Sequence, residues 1–62
     1  PSEFVCPITL TMMRDPVLCA DGHSYERRAI DGWLRAHATS PLTNLPLSSR
    51  DTTPNRALRA AI

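Results

Sequence analysis

Val17-Leu18-Cys19-Ala20-Asp21-Gly22-His23-Ser24-Tyr25 decides the local fold. Val17 to Ala20 suits a short strand, Asp21-Gly22 is a tight-turn signal, and His23-Ser24-Tyr25 returns as the second arm of a small hairpin. Just downstream, Ser24 is a candidate helix cap, with Glu26 in the first turn where the positive end of the helix dipole favours an acid. Ala29, Ile30, Trp33, Leu34 and His37 then recur at helical spacing and predict one inward face. Upstream, Pro7 removes a backbone donor and drives Cys6 toward an extended conformation, so this stretch reads as a structured loop. Phe4, the only Phe, is expected in the core. On the far side of the helix, Pro41 and Pro46 forbid helix across residues 40–47 and define a second loop. Residues 51–53 are a candidate edge strand. Asn55 is a candidate cap for a last helix whose inner face is Leu58, Ala61 and Ile62. No internal repeat and no low-complexity segment stands out.

Composition limits what such a chain can do. Sixty-two residues allow one small domain, over residues 1–62, burying only about 60% of its unfolded surface. A large substrate pocket or a nucleotide-binding fold does not fit that size. Hydrophobic content of 42% suffices for a core and is too high for a disordered tail. A net charge of +1 argues against a dedicated nucleic-acid binder, which needs concentrated positive charge. The adjacent pair Arg27-Arg28 reads as a solvated helix face. No apolar run approaches the roughly 20 residues that span a bilayer, and the first residues carry no leader-like pattern. The chain therefore reads as a piece of a larger protein with no membrane contact of its own. All seven basic residues are Arg, so the chain offers no Lys amine and only the N-terminal amine of Pro1.

Cys6 and Cys19 are too few for a disulfide framework and read as reduced packing residues in a cytoplasmic or nuclear protein. A thiol nucleophile would need a base beside it, and neither His23 nor His37 falls in a motif that supplies one. Cys6, Cys19, His23 and His37 are four possible zinc ligands without any Cys-x-x-Cys pair. No cofactor and no metal is expected.

Order and spacing along nearly the whole chain carry a more specific signal. Phe4-Val5-Cys6-Pro7-Ile8-Thr9, Met13-Arg14-Asp15-Pro16-Val17, Asp21-Gly22-His23-Ser24-Tyr25-Glu26-Arg27, Ile30 with Trp33-Leu34, Ser40-Pro41-Leu42-Thr43 and Thr53-Pro54-Asn55-Arg56-Ala57-Leu58 together resemble a U-box. The U-box is the zinc-free relative of the RING domain of ubiquitin ligases. The resemblance implies an α+β fold: a central helix, a short β-hairpin or three-stranded sheet, two long loops, a C-terminal helix and no metal. In a RING, Cys and His ligands hold zinc in a cross-braced arrangement. Projected here, those positions fall on Cys6, Thr9, Asp21, His23, Glu26, Ala29, Ser40 and Thr43. The resemblance thus implies polar networks in place of zinc, one with Thr9 and Glu26, the other with Asp21, His23, Ser40 and Thr43.

It also implies a function. U-box domains recruit a ubiquitin-conjugating enzyme charged with ubiquitin and promote transfer from its thioester to a substrate lysine. They do so by positioning, without a nucleophile of their own. The implied docking residues are Ile8 and Leu10 in the first loop, Trp33 on the helix, and Pro41 and Asn44 in the second loop. Core burial is the competing reading of Ile8 and Leu10; an extended loop favours the interface for Ile8 and leaves Leu10 open. Asn44 stands where many RING and some U-box domains carry an Arg that bridges conjugating enzyme and ubiquitin. It lacks that residue's charge and donor fork. Two alternatives follow: a docking scaffold with little ligase activity, and a self-associating module that forms a homodimer. Protein substrates would be selected by regions outside these residues.

Overall fold

The computed structural model describes residues 2–62. Pro1, with the amine expected from the sequence, lies outside the described residues. After a 3-10 turn at Ser2–Phe4 come strand β1 (Pro16–Leu18), strand β2 (Ser24–Glu26) and helix α1 (Arg27–Ala36). Strand β3 (Thr53–Pro54) and helix α2 (Arg56–Ala61) close the chain. The expected α+β architecture, with two helices and a three-stranded sheet, is present.

Sheet order is β2-β1-β3, antiparallel throughout. Val17 pairs with Tyr25, and both side chains are fully buried, while Leu18 between Val17 and Cys19 faces outward. That is the period-2 alternation of a half-buried strand. The hairpin closes through residues 20–22, with Cys19 N–H donating to His23 O at 2.9 Å and Gly22 N–H to Cys19 O at 3.0 Å. Gly22 takes φ 83°, a left-handed turn position that a side chain resists. Cys6, Met13, Val17, Cys19, Tyr25, Ile30 and Leu34 form the core. Burying each of the larger ones contributes about 1.5–3 kcal/mol.

Several local expectations change. Ser24 lies in β2 rather than capping α1, and its Oγ accepts from Asn55 Nδ2 at 2.8 Å. The residue before α1 is Glu26, whose carboxylate caps nothing in the helix: it accepts from Arg14 N–H at 3.0 Å and Asp15 N–H at 2.7 Å. Strand runs directly into helix, so the carboxylate ties the incoming chain to the hairpin instead. His37 is exposed, because α1 stops at Ala36 and His37 takes extended φ −135°, ψ 148°. Phe4 is only half-buried and lies outside the core cluster. The edge strand falls at Thr53–Pro54, where a proline is tolerated because an edge position can spare its missing N–H. Asn55 caps α2 as expected, Oδ1 accepting from Leu58 N–H at 3.1 Å. Only Leu58 of that helix packs on the core; Ala61 and Ile62 are exposed.

Candidate functional site

Two loops, residues 6–11 and 40–45, are built on one plan. Cys6-Pro7-Ile8-Thr9-Leu10-Thr11 and Ser40-Pro41-Leu42-Thr43-Asn44-Leu45 share Pro, Ile or Leu, and Thr at their second to fourth positions, a repeat too short to predict the common backbone path that both follow. In the first, Cys6 N–H donates to Thr11 O at 2.9 Å and Leu10 N–H to Cys6 O at 2.8 Å. In the second, Ser40 N–H donates to Leu45 O at 2.9 Å and Asn44 N–H to Ser40 O at 2.8 Å. The first residue's side chain accepts from the backbone two positions on, Cys6 Sγ from Ile8 N–H at 3.4 Å and Ser40 Oγ from Leu42 N–H at 3.1 Å. The threonine at the fourth position does the same for the sixth: Thr11 N–H to Thr9 Oγ1 at 3.3 Å, Leu45 N–H to Thr43 Oγ1 at 3.2 Å. The fifth residue is left-handed in both, Leu10 at φ 59° and Asn44 at φ 61°.

Each loop is fastened to a different end of the hairpin. Cys6 Sγ accepts a second N–H, from Glu26 at 3.3 Å. Burial pushes the Cys6 thiol up, but donors from Glu26, Thr9 and Ile8 outweigh it and hold the thiol below its ordinary range. Thr9 and Glu26 do not bond each other. Thr9 Oγ1 pairs with Thr11 Oγ1 at 2.9 Å, and the two sides are joined through Cys6. At the other end Asp21 is the hub. Its Oδ2 accepts from Ser40 Oγ and from Tyr25 OH, both at 2.6 Å, and its Oδ1 accepts from His23 N–H at 2.9 Å. Thr43 joins through its N–H on Ser40 Oγ at 3.1 Å. His23 contributes its backbone rather than its ring, because the Asp21 carboxylate folds back over its own turn. Burial pushes the Asp21 carboxyl up, yet donors from Ser40, Tyr25 and His23 together hold it below the usual carboxylate range. Burial and the Asp21 carboxylate push the Tyr25 phenol well above its usual value. Tyr25 was not foreseen as a member; no spacing rule marks it, since its hydroxyl meets Asp21 only after the hairpin turns.

Among the described residues, no group of three or more His, Cys, Asp or Glu side chains is placed to hold a metal ion. Cys6 and Cys19 are free and buried, and the hydrogen-bonded neighbours of Cys6 Sγ are backbone N–H groups rather than a general base. Hydrogen bonds occupy Cys6-x-x-Thr9 and Ser40-x-x-Thr43, the loop positions onto which the resemblance projects zinc ligands of a RING.

The anchors also set the loops at opposite ends of α1. Loop 6–11 is tied to Glu26, just before the helix, and Trp33 Nε1–H donates to Thr39 O at 2.6 Å, just before loop 40–45. Seven residues, about 10 Å of helical rise, separate Glu26 from Trp33. Ile8 is 36% exposed and Leu10 76% exposed, and neither belongs to the core cluster. Pro41 and Trp33 are half-buried, and Asn44 is exposed with no side-chain hydrogen bond among the described residues. Leu42 and Leu45, both exposed, add apolar surface to the second loop that sequence reading passed over. Leu10 combines high exposure with a left-handed backbone that costs an L-residue roughly 1–2 kcal/mol. Folding gains little from leucine there, so the strain points to a role outside the fold.

Comparison with known proteins converges on one family. A family model described as U-box domain matches residues 1–62. The chain is 57% identical over 63 residues to the WD repeat, SAM and U-box domain-containing protein 1 of Danio rerio, covering all of this chain and 13% of that protein. It is 54% identical over 63 residues to U-box domain-containing protein 70 of Oryza sativa subsp. japonica, and 45% identical over 62 residues to U-box domain-containing protein 35 of Arabidopsis thaliana. All of this chain is again covered, and 8% and 7% of those proteins respectively.

Proposed function

The chain belongs to the U-box family, and from that premise we propose that it is a ubiquitin-ligase module that docks a ubiquitin-charged conjugating enzyme. In this reading the docking surface comprises Ile8 and Leu10 from the first loop, Trp33 from α1, and Pro41 and Asn44 from the second loop. The chemistry is aminolysis of a thioester. A substrate lysine amine attacks the thioester carbonyl, an isopeptide bond forms, and the conjugating enzyme's thiolate leaves. The chain supplies neither nucleophile nor base; it holds the partner in a reactive arrangement, and orientation alone can contribute several kcal/mol to a rate. The polar networks around Cys6 and Asp21 fix the loops in place of metal. Two free, buried cysteines suit a cytoplasmic or nuclear setting, where thiols stay reduced.

One observation carries the reading: two loops of the same construction, fastened to a common hairpin, keep aliphatic side chains exposed where core packing does not require them. Discharge of a charged conjugating enzyme onto free lysine, across a panel of such enzymes, tests it. Acceleration by the 62-residue chain supports the proposal, and absence of acceleration with every enzyme contradicts it. A second reading, docking with little ligase activity, is favoured by Asn44. In that case the chain binds a conjugating enzyme without accelerating discharge.

A further inference from the structure

His37, left out of the core by the early end of α1, packs on Trp33. The ring centroids are 3.8 Å apart and the planes differ by 12°, a stacked pair one helical turn apart. The extended backbone at His37 makes this possible by turning the chain out of the helix while its N–H still donates to Trp33 O at 3.0 Å. The ring's Nδ1 lies 3.2 Å from the same carbonyl oxygen. A carbonyl only accepts, so Nδ1 carries the proton and, in the neutral ring, Nε2 is the free acceptor. The indole is thus held twice by the segment after the helix: its N–H by Thr39 O at 2.6 Å, its face by the imidazole. His37 itself is exposed and buries nothing in the core.

We propose that His37 is a positioning residue for conjugating-enzyme docking: by stacking on Trp33 it fixes the indole in the orientation the partner meets. The inference rests on the docking role proposed above for Trp33. The indole is bonded at one edge and packs partly against the core, and the imidazole stacked on its face limits the tilt that remains before the partner arrives. Pre-organisation of this kind strengthens association by removing an ordering cost. The ordering cost of one such side chain corresponds to a roughly two- to tenfold weaker affinity.

Trp33 is the only tryptophan, so its emission reports the stack directly. The experiment compares the 62-residue chain with His37→Ala and His37→Phe in three measurements: melting temperature, tryptophan emission excited at the red edge of the indole band, and affinity for a conjugating enzyme that the parent binds. The expected result is a His37→Ala chain that stays folded but melts several degrees below the parent, shows red-shifted emission because the indole face loses its cover, and binds roughly two- to tenfold more weakly. His37→Phe, which restores a flat ring without the Nδ1 bond, should return both emission and affinity toward parental values. A His37→Ala chain with parental emission overturns the stack. One with shifted emission and parental affinity overturns the positioning role, as does a His37→Phe chain that recovers emission without affinity. If the parent binds no conjugating enzyme, the docking proposal and this inference fail together, whereas failure of the inference alone leaves parental binding intact.

Discussion

Leu10→Asn should make the protein more stable and a poorer binding partner. Leu10 sits at φ 59° with 76% of its surface exposed, and the equivalent residue of the second loop, Asn44, adopts φ 61°. The left-handed region costs an L-residue roughly 1–2 kcal/mol, and asparagine enters it far more readily than leucine. The substitution forfeits little burial, so the relief of strain dominates and the net gain is about 1 kcal/mol. In a domain this small, that raises the melting temperature by about 4–8 °C. On the binding side the change removes the most exposed large apolar side chain of the first loop. Loss of an interface contact of about 1.4 kcal/mol weakens affinity about tenfold. Thermal unfolding by circular dichroism and a conjugating-enzyme titration on the same preparations read both effects. A Leu10→Asn chain that melts earlier than the parent would show that Leu10 supports the fold, and one that binds as tightly would remove it from the docking surface.

Three further outcomes follow from the loop construction. Because backbone N–H groups and the Asp21 hub fill the projected ligand positions, a strong chelator should leave the melting temperature unchanged and elemental analysis should find no stoichiometric zinc; a large drop on chelation would contradict the hydrogen-bonded account of the loops. Asn44→Arg should accelerate ubiquitin discharge, about tenfold if the guanidinium gains one charge-assisted bond, while lowering the melting temperature slightly because Arg tolerates φ 61° less well than Asn; an unchanged discharge rate would show that this position does not bridge partner and ubiquitin. Asp21 is held below its usual range in the folded state, so its stabilising share is present above its unfolded pKa, about 4, and is lost as pH falls through the lower folded value. Melting curves taken from pH 6 down to about pH 3 should show that decline, and Asp21→Asn should reduce its slope.

The hairpin was legible because Val17 and Cys19 alternate with outward Leu18 around an Asp21-Gly22 turn, and one period-2 pattern determines both pairing and facing. The middle of α1 was legible too, through Ile30 and Leu34, whereas its end was not. Periodicity carries His37 onto the inner face, but nothing in the 3.6-residue repeat signals that the backbone becomes extended there. Local patterning makes Ser24 a helix cap and puts Glu26 in the first helical turn, but tertiary partners, Asn55 for one and the Arg14–Asp15 backbone for the other, claim both side chains. The six-residue repeat is hard to read in the sequence because Cys6 against Ser40 and Leu10 against Asn44 share no obvious chemistry. Pro7-Ile8-Thr9 against Pro41-Leu42-Thr43 is the part that shows in the sequence, while the shared backbone path and the pair of side-chain acceptors show as hydrogen bonds. The loop residues singled out for docking came from family resemblance. Exposure and strain at Leu10 are independent support that a pattern of residue types could not have supplied.

The most direct test of docking through the first loop is Ile8→Ala, with Ile30→Ala as the core control. Ile8 is 36% exposed and stands outside the core cluster, while Ile30 is fully buried within it. Truncating a buried isoleucine costs about 2–5 kcal/mol of folding stability, so Ile30→Ala should melt early or unfold. Truncating an interface anchor costs about 2 kcal/mol of binding, a roughly thirtyfold weaker affinity. Melting temperature and ubiquitin discharge, measured side by side, separate these outcomes. The expected result is an Ile8→Ala chain that melts with the parent and no longer accelerates discharge; one that melts early, or that discharges ubiquitin at the parental rate, would contradict docking through this loop.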